Sequence, residues 1–257
     1  MSRRIAVTGV ASGIGQALAR QLTEAGDTVI GIDLKDADVC ADLGTADGRD
    51  RAVAAVLEQC AGLLDGLVAC AGVNAPSPLL VSVNFFGVTA LAEGLRPALA
   101  AASAPRAAVV GSISGTQPVD DEVVAACLAD DEAAAVARSA AVMAGAPQKL
   151  YPSSKAALAQ WLRRTCIAPG WADAGIPINC VAPGVVRTPM SAALFADERM
   201  KAVMDRAVPM PLNGYAGPED IAAALAWLIS PANSHTTGQV LYVDGGAEVS
   251  LRGPSVF

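Results

Sequence analysis

Short apolar runs alternate with stretches of helical periodicity along almost the whole chain. In order, the runs are RIAVTGV, TVIGIDL, VCADL, LDGLVACAG, RAAVVGSISG, IPINCVAPG and QVLYVDGG. Continuous apolar strands suit a sheet covered on both faces, and helices between strands make the connections parallel. The alternation therefore predicts an α/β protein with a doubly wound, parallel, seven-stranded sheet of Rossmann type. We find no internal repeat or linker, so residues 1–257 are expected to form one domain.

Residues 117–148 interrupt this alternation. They are rich in alanine and acidic side chains and contain little strand signal. Val123, Val124, Cys127 and Leu128 recur at helical spacing, which favours one or two inserted helices over a disordered, low-complexity loop. A helical insert is therefore predicted before the helix that follows residue 150.

Composition argues against several classes of function. The net charge is −7 and the basic residues form only short pairs, so no nucleic-acid partner is expected. The longest apolar runs fall short of the roughly 18 residues that a membrane span needs, and no signal peptide is recognised. The cysteines are widely spaced without a C-x-x-C pair, which indicates reduced thiols in a cytoplasmic protein and no metal site. The one histidine, His235, lies in a turn-like segment, so the sequence gives little support for a Ser-His-Asp triad or a histidine-rich metal site.

The segment TGVASGIG joins the first strand to the first helix, with glycines at positions 9, 13 and 15. Glycines permit a tight turn and a close approach of phosphate to the backbone, and a helix N-terminus attracts anions. The spacing differs from G-x-G-x-x-G, but its place between a strand and a helix favours dinucleotide binding.

An aspartate, Asp33, ends the second predicted strand. A carboxylate there would accept hydrogen bonds from the ribose hydroxyls of an adenosine and repel a 2′-phosphate. Ser12 supplies no positive charge for such a phosphate, so the sequence predicts NAD rather than NADP. A solvated turn aspartate is the alternative interpretation.

Several motifs together resemble the short-chain dehydrogenase/reductase family. TGVASGIG has its T-G-x-x-x-G-x-G form, and YPSSK has its Tyr-x-x-x-Lys form. SVNFFG, APGVVRTPM and YVDGG occupy the expected places, whereas ACAG replaces both asparagines of the family's N-N-A-G. The insert, the segment GIDLKDADVCADLGTADGR and the tail LRGPSVF are similar to the bacterial 3α-hydroxysteroid dehydrogenase/carbonyl reductase branch, with coniferyl-alcohol dehydrogenases close by.

The resemblance implies an NAD(H)-dependent oxidoreductase that interconverts a bulky cyclic or aromatic alcohol and its carbonyl compound. A 3α-hydroxysteroid is the first expected substrate, and coniferyl-type or cyclic monoterpene alcohols are the alternative. A non-catalytic NAD sensor is an alternative of another class. Enoyl-thioester reduction is disfavoured, because relatives with that activity set the lysine further from the tyrosine. The resemblance also implies a homodimer or homotetramer, in which the insert blocks one common pairing surface.

Tyr151 and Lys155 are the predicted acid–base pair, since residues four apart share a helix face. A phenol with a pKa of about 10 is a poor base near neutrality, and a nearby ammonium would favour its ionised form. By resemblance, Asn84 would hold a relay water through its backbone carbonyl. Ser114, at the end of the fifth strand, is the preferred serine for polarising the substrate oxygen, with Ser112 and Ser139 as alternatives.

The resemblance assigns cofactor contacts across the chain, with Thr188 on the nicotinamide carboxamide. The predicted set is Gly9, Ser12, Gly13, Ile14, Gly15, Asp33, Leu34, Asp42, Leu43, Ala71, Gly72, Tyr151, Lys155, Pro183, Gly184, Val186 and Thr188. Residues 188–210 form either an adaptable apolar lid or an amphipathic helix packed on the core. Their apolar members are Met190, Leu194, Phe195, Met200, Met204 and Met210.

Overall fold

A single parallel sheet forms the centre of the computed structural model, which describes residues 2–256. Its strands are β1 (Arg4–Thr8), β2 (Thr28–Asp33), β3 (Val39–Cys40), β4 (Gly66–Ala69), β5 (Arg106–Val110), β6 (Ile178–Pro183) and β7 (Val240–Val243). They lie in the order β3-β2-β1-β4-β5-β6-β7, and every neighbouring pair is parallel. The predicted seven-stranded, doubly wound fold is confirmed.

Helices cover both faces of the sheet. They are α1 (Gly13–Glu24), α2 (Ala46–Gln59), α3 (Gly87–Ala100), α4 (Asp121–Leu128), α5 (Glu132–Gly145), α6 (Leu150–Thr165), α7 (Ala192–Phe195), α8 (Glu198–Ala207), α9 (Pro218–Leu228) and α10 (Ala247–Arg252). Side chains of a strand point alternately to opposite faces. Ile5 and Val7 therefore pack with α1 and α9, whereas Ala6 packs with α2, α3 and α6.

The chain changes direction across the sheet between β1 and β4. After β1, the chain adds β2 and β3 on one side, then returns to place β4 on the other side of β1. The connections that leave β1 and β4 therefore diverge and open a crevice at the carboxyl ends of these strands. This crevice is where a ligand site is expected in an open α/β sheet.

The insert consists of two helices, α4 and α5, as its periodicity predicts. Asp120 caps α4 by accepting a hydrogen bond from the Val123 N–H, and its two oxygens accept from Arg138 of α5 at 2.9 and 2.7 Å. Helix α4 packs along α6. The insert is thus a folded element beside the helix that carries Tyr151.

Two helix boundaries near the cavity have a local form of their own. Helix α6 ends at Thr165, because Pro169 is incompatible with a continuing helix and Gly170 has a φ of +85°. A π-helical turn, Ser82–Phe86, directly precedes α3. Within residues 2–256, no helix combines the length and apolar character that crossing a membrane requires.

Candidate active site

A cavity of about 420 Å³ lies at the carboxyl ends of β1, β2, β4, β5 and β6. Its walls include all the residues predicted to contact the cofactor: Gly9, Ser12, Gly13, Ile14, Gly15, Asp33, Leu34, Asp42, Leu43, Ala71, Gly72, Tyr151, Lys155, Pro183, Gly184, Val186 and Thr188. The structure therefore brings the scattered motifs together in one place. Ser112 and Ser114 also line this cavity.

The glycine loop at the end of β1 brings the N-terminus of α1 against the sheet. A Cβ atom on Gly15 would lie 2.2 Å from the Gly9 carbonyl oxygen, so only glycine permits this close packing. Gly13 has a φ of +59°, a conformation that side chains other than glycine rarely adopt. Within the described chain, Ser12 makes no side-chain capping hydrogen bond, and the first turn of α1 carries no acidic residue. These features fit the phosphates of a dinucleotide, which would accept hydrogen bonds from this helix end.

Asp33 ends β2 beside the glycine loop. Its Oδ2 accepts a hydrogen bond from the Ala11 N–H at 2.9 Å, and its Oδ1 accepts from the Leu34 N–H at 2.7 Å. A carboxylate oxygen can accept more than one hydrogen bond, so both oxygens of Asp33 remain able to accept hydrogen bonds from ribose hydroxyls in the cavity. The two backbone contacts fix the carboxylate in a position that suits this role.

Tyr151 and Lys155 share one face of α6, and both face the cavity. The Lys155 Nζ donates to the Val110 carbonyl at 2.9 Å and lies 5.8 Å from the centroid of the Tyr151 ring. Burial lowers the pKa of Lys155 to about 8. Burial also raises the pKa of Tyr151, and the nearby Ser112 side chain opposes that rise. A proton-accepting phenolate at this place therefore needs further positive charge beside it.

Ser112 is the serine whose side chain acts on Tyr151. It lies near enough to the phenol to lower the pKa of Tyr151 against the effect of burial, and its Oγ accepts a hydrogen bond from the Ser114 N–H at 3.1 Å. Ser112 continues the extended backbone of β5, with a φ of −169°, whereas Ser114 lies inside the following 3₁₀ turn, Ile113–Thr116. Ser139 lies buried on α5, outside the cavity lining. The geometry favours Ser112 over the predicted Ser114.

Asn84 lies behind the cavity wall, in the middle of the π-helical turn. Its Oδ1 accepts from the Val73 N–H at 2.8 Å, while its Nδ2 donates to the Val73 carbonyl at 2.9 Å and to Ser154 Oγ at 3.2 Å. The Asn84 side chain thus joins the loop after β4 to α6 directly beside Lys155. Widened helical turns of this kind are frequent at functional sites.

The segment 188–210 supplies an apolar wall. Met190, Leu194 and Met204 line the cavity, whereas Met200 is exposed to solvent. The Met210 sulfur accepts a hydrogen bond from the Val185 N–H. The segment forms two short helices, α7 and α8, of which α8 turns Met204 inward. Its mobility stays a prediction.

Several cavity residues were not named as candidates from the sequence. They are Ala41, Cys70, Val73, Asn74, Val83, Val110, Gly111, Ile113, Val185, Pro189, Ser191 and Val208. Most follow strand ends directly, and this position is the signal that could have identified them. Burial raises the pKa of the Cys70 thiol to about 12, so this thiol stays protonated. Among residues 2–256, no group of three or more His, Cys, Asp or Glu side chains is arranged to hold a metal ion.

Two family profiles match consecutive parts of the chain. The profile described as short chain dehydrogenase matches residues 3–126, and the profile described as enoyl-(acyl carrier protein) reductase matches residues 122–248. The two matches together span the glycine loop, the Tyr-Lys pair and the last strand.

Individual relatives extend over nearly the full chain. The 3-alpha-hydroxysteroid dehydrogenase/carbonyl reductase of Comamonas testosteroni is 37% identical over 96% of this chain and 97% of its own length. The cis-4-hydroxycyclohexanecarboxylate dehydrogenase of Sinomonas cyclohexanicum is 33% identical over 95% of this chain and 96% of its own. The crystal structure of the 3-alpha-hydroxysteroid dehydrogenase from Pseudomonas sp. B-0831, complexed with NADH, aligns with a TM-score of 0.91. That protein is 46% identical, and the alignment covers 98% of this chain and 100% of that one.

Replacement of Lys155 by methionine should change how the free energy of unfolding depends on pH. Burial lowers the pKa of Lys155 from 10.5 to about 8, so the unfolded chain binds more protons between these values. Wild-type stability therefore rises with pH through this window, and the methionine variant lacks that gain. Relative to the variant, the cofactor-free wild type should gain about 3 kcal/mol between pH 7 and pH 10.

Urea unfolding at several pH values measures this difference. The control is Lys35→Met, which removes an exposed lysine and should show no comparable pH dependence. If the difference in unfolding free energy between wild type and Lys155→Met does not change with pH, then burial does not lower the pKa of Lys155.

Proposed function

Because this chain belongs to the short-chain dehydrogenase/reductase family, we propose that it interconverts bulky cyclic alcohols and ketones with NAD(H), with 3α-hydroxysteroids as the first substrate class. It is an oxidoreductase that uses a nicotinamide cofactor. One observation carries the finer proposal: a single cavity joins the glycine loop, Asp33, the Tyr-Lys pair and an apolar wall. Cofactor, proton acceptor and hydrophobic substrate can therefore meet within it.

Three side chains have separate roles in the proposed oxidation of the alcohol. When bound, the nicotinamide cofactor would supply the acceptor for the hydride that leaves the alcohol carbon. Tyr151 Oη takes the hydroxyl proton, and Ser112 Oγ donates a hydrogen bond to the substrate oxygen as charge develops on it. Lys155, held by the Val110 carbonyl, places positive charge near the phenol and lowers the cost of the phenolate. In ketone reduction, the same groups return the proton.

The apolar wall supports a bulky, hydrophobic substrate. Met190, Leu194, Met204 and Val208 offer flexible or branched side chains that adapt to a fused-ring surface. Similarity to the Comamonas and Pseudomonas hydroxysteroid dehydrogenases supports a steroid. A smaller ring, as in the substrate named for the Sinomonas relative, or a coniferyl-type or cyclic monoterpene alcohol is the second candidate.

NAD rather than NADP is the proposed cofactor. The Asp33 carboxylate would repel a 2′-phosphate bound beside it, and the neighbouring cavity residues Ser12 and Leu34 carry no positive charge. Repulsion from the carboxylate would thus be uncompensated. The NADH complex of the Pseudomonas protein is consistent with this choice.

Two other functions fit less well. A non-catalytic NAD sensor would have no need of a tyrosine and a lysine on one helix face beside a strand-end serine. Enoyl-thioester reduction is suggested by the description of one profile. The four-residue spacing from Tyr151 to Lys155 disfavours it, since relatives with that activity set the lysine further away.

A panel of steroid, monoterpene, cyclohexanol and phenylpropanoid alcohols tests the proposal, with NAD and NADP offered in parallel and NADH or NADPH formation followed by absorbance. Steroid alcohols with NAD should give the highest kcat/KM. Tyr151→Phe should lower kcat by at least about 100-fold, because it removes the proton acceptor. NADH binding without turnover would identify a sensor, and faster turnover with NADP would refute the role of Asp33.

Ser112→Ala and Ser114→Ala distinguish the two candidate serines. Loss of the Ser112 hydroxyl should reduce kcat about 100-fold, the usual effect of removing one donor to a developing oxyanion. Ser114→Ala keeps the backbone N–H that donates to Ser112, so its kcat should fall less than about tenfold. The opposite order of effects would restore Ser114 as the polarising residue.

We propose a homodimer rather than a homotetramer. The insert helix α4 covers part of α6, whereas α9, β7 and α10 expose Trp227, Leu241 and Val249. Sedimentation should give the mass of two chains, and Trp227→Glu should give one chain, since a charge is costly in an apolar interface. Ile167→Glu, at an exposed isoleucine beyond α6, is the control and should remain dimeric. A tetramer would overturn the proposal.

A further inference from the structure

We propose that Arg49 and Glu132 are positioning residues that fix the π-helical turn carrying Asn84 and thereby couple the helical insert to the acid–base pair. The contacts of Arg49 are observed in the structure, whereas their effect on catalysis rests on the proposed function. Arg49 lies on α2 and Glu132 is the first residue of α5, so the two come from distant parts of the chain.

The contacts of Arg49 form a buried junction of three elements. Its Nη1 donates to Glu132 Oε1 at 3.1 Å and its Nη2 donates to Oε2 at 2.5 Å. The same Nη1 donates to the Ser82 carbonyl oxygen at 3.4 Å. The Arg49 side chain is 7% exposed and that of Glu132 is 31% exposed. Such a charge would be costly to bury without this bidentate partner.

The charge of Glu132 is supported from two sides of the junction. Burial alone would raise the pKa of Glu132, but the Arg49 guanidinium and the nearby Ser82 side chain outweigh it and hold that pKa below its usual value. Glu132 thus holds the Arg49 guanidinium, which in turn donates to the carbonyl of the first residue of the π-helical turn.

The π-helical turn depends on the carbonyl that Arg49 contacts. The Ser82 oxygen also accepts the Gly87 N–H, which closes the wide, five-residue step of this turn. π-helical geometry is rare and needs support from its surroundings. A carbonyl oxygen has two lone pairs, so the guanidinium can hold the turn without displacing its own hydrogen bond.

Displacement of this turn would reach the acid–base pair through Asn84. Asn84 lies two residues after Ser82 and joins Val73 to Ser154, the neighbour of Lys155. A Cβ atom on Gly72 would lie 3.2 Å from Asn84 Oδ1 and 3.6 Å from Lys155 Nζ. Both side chains therefore approach the same backbone atom, and a shift of Asn84 changes the surroundings of the Lys155 ammonium.

The chain offers a matched control for this inference. Arg138 also stabilises the insert, through Asp120, which caps α4, but its ion pairs are confined to the insert. Arg138→Gln weakens the insert without removing a partner of Ser82. Arg138→Gln should loosen the insert alone, whereas Glu132→Gln should also loosen the π-helical turn. A comparison of the two variants therefore distinguishes the two effects.

Hydrogen–deuterium exchange of peptides covering residues 80–90 provides the first measurement. Glu132→Gln should speed exchange of the amides of residues 82–87 by at least about tenfold, since it weakens a structural support of their hydrogen bonds. Arg138→Gln should leave these amides at the wild-type rate. The measurement needs no substrate, so it tests the junction even if the panel of alcohols shows no turnover and the proposed function fails.

The pH profile of kcat for the best alcohol provides the second measurement. Glu132→Gln should lower kcat about tenfold and shift the apparent pKa of the profile, with KM changed less than about twofold, because the acid–base groups and not the substrate wall are displaced. Arg138→Gln should keep the wild-type profile. Arg49→Lys retains the charge but loses the bidentate fork, so an intermediate effect is expected.

Equal behaviour of Glu132→Gln and Arg138→Gln in both measurements would overturn the inference, because the pair would then be a structural fastening only. Faster exchange with an unchanged pH profile would equally overturn the positioning role. If Glu132→Gln does not fold, Arg49→Lys decides by the same criteria.

Discussion

The structure depends on a single geometric constraint, the alignment of parallel strands with all their carboxyl ends at one edge. Every connection that leaves a strand there starts from the same rim, so distant segments of the chain meet without long loops. The reversal of strand order between β1 and β4 opens that rim into a cavity. The glycine loop, Asp33, Ser112 and Thr188 each lie at or beyond the end of a different strand, and the sheet brings them to one cavity.

The sequence predicted the elements that local patterns determine. Apolar runs identified the strands, glycine spacing identified the loop before α1, and helical periodicity indicated one or two helices in the insert, where the structure has two. The sequence could not decide between Ser112 and Ser114, because that choice depends on which hydroxyl the strand end turns toward Tyr151. The contact between Arg49 and Glu132 could not be predicted from the sequence either, because it joins two helices through side chains that are far apart in sequence.

Buried charge is concentrated around the candidate site. Lys155 and Arg49 are both nearly inaccessible to solvent, and each is stabilised by backbone carbonyls as well as by neighbouring groups. Burial of Lys155 lowers its pKa toward the physiological range, which makes the ammonium responsive to its surroundings. Arg49 instead donates two hydrogen bonds to the Glu132 carboxylate. The two cations thus have different proposed roles, one in proton transfer and the other as a rigid support.

The walls of the cavity come from separate segments of the chain, one of them formed by backbone atoms and the other by apolar side chains. Backbone atoms at strand ends form the floor, which tolerates little variation because added atoms such as a Cβ on Gly15 would collide. Methionine and leucine side chains of residues 188–210 form the opposite wall. Such a division makes the molecule modular. Substitutions among the side chains of residues 188–210 would therefore change which ring systems fit the cavity without disturbing the backbone at the strand ends.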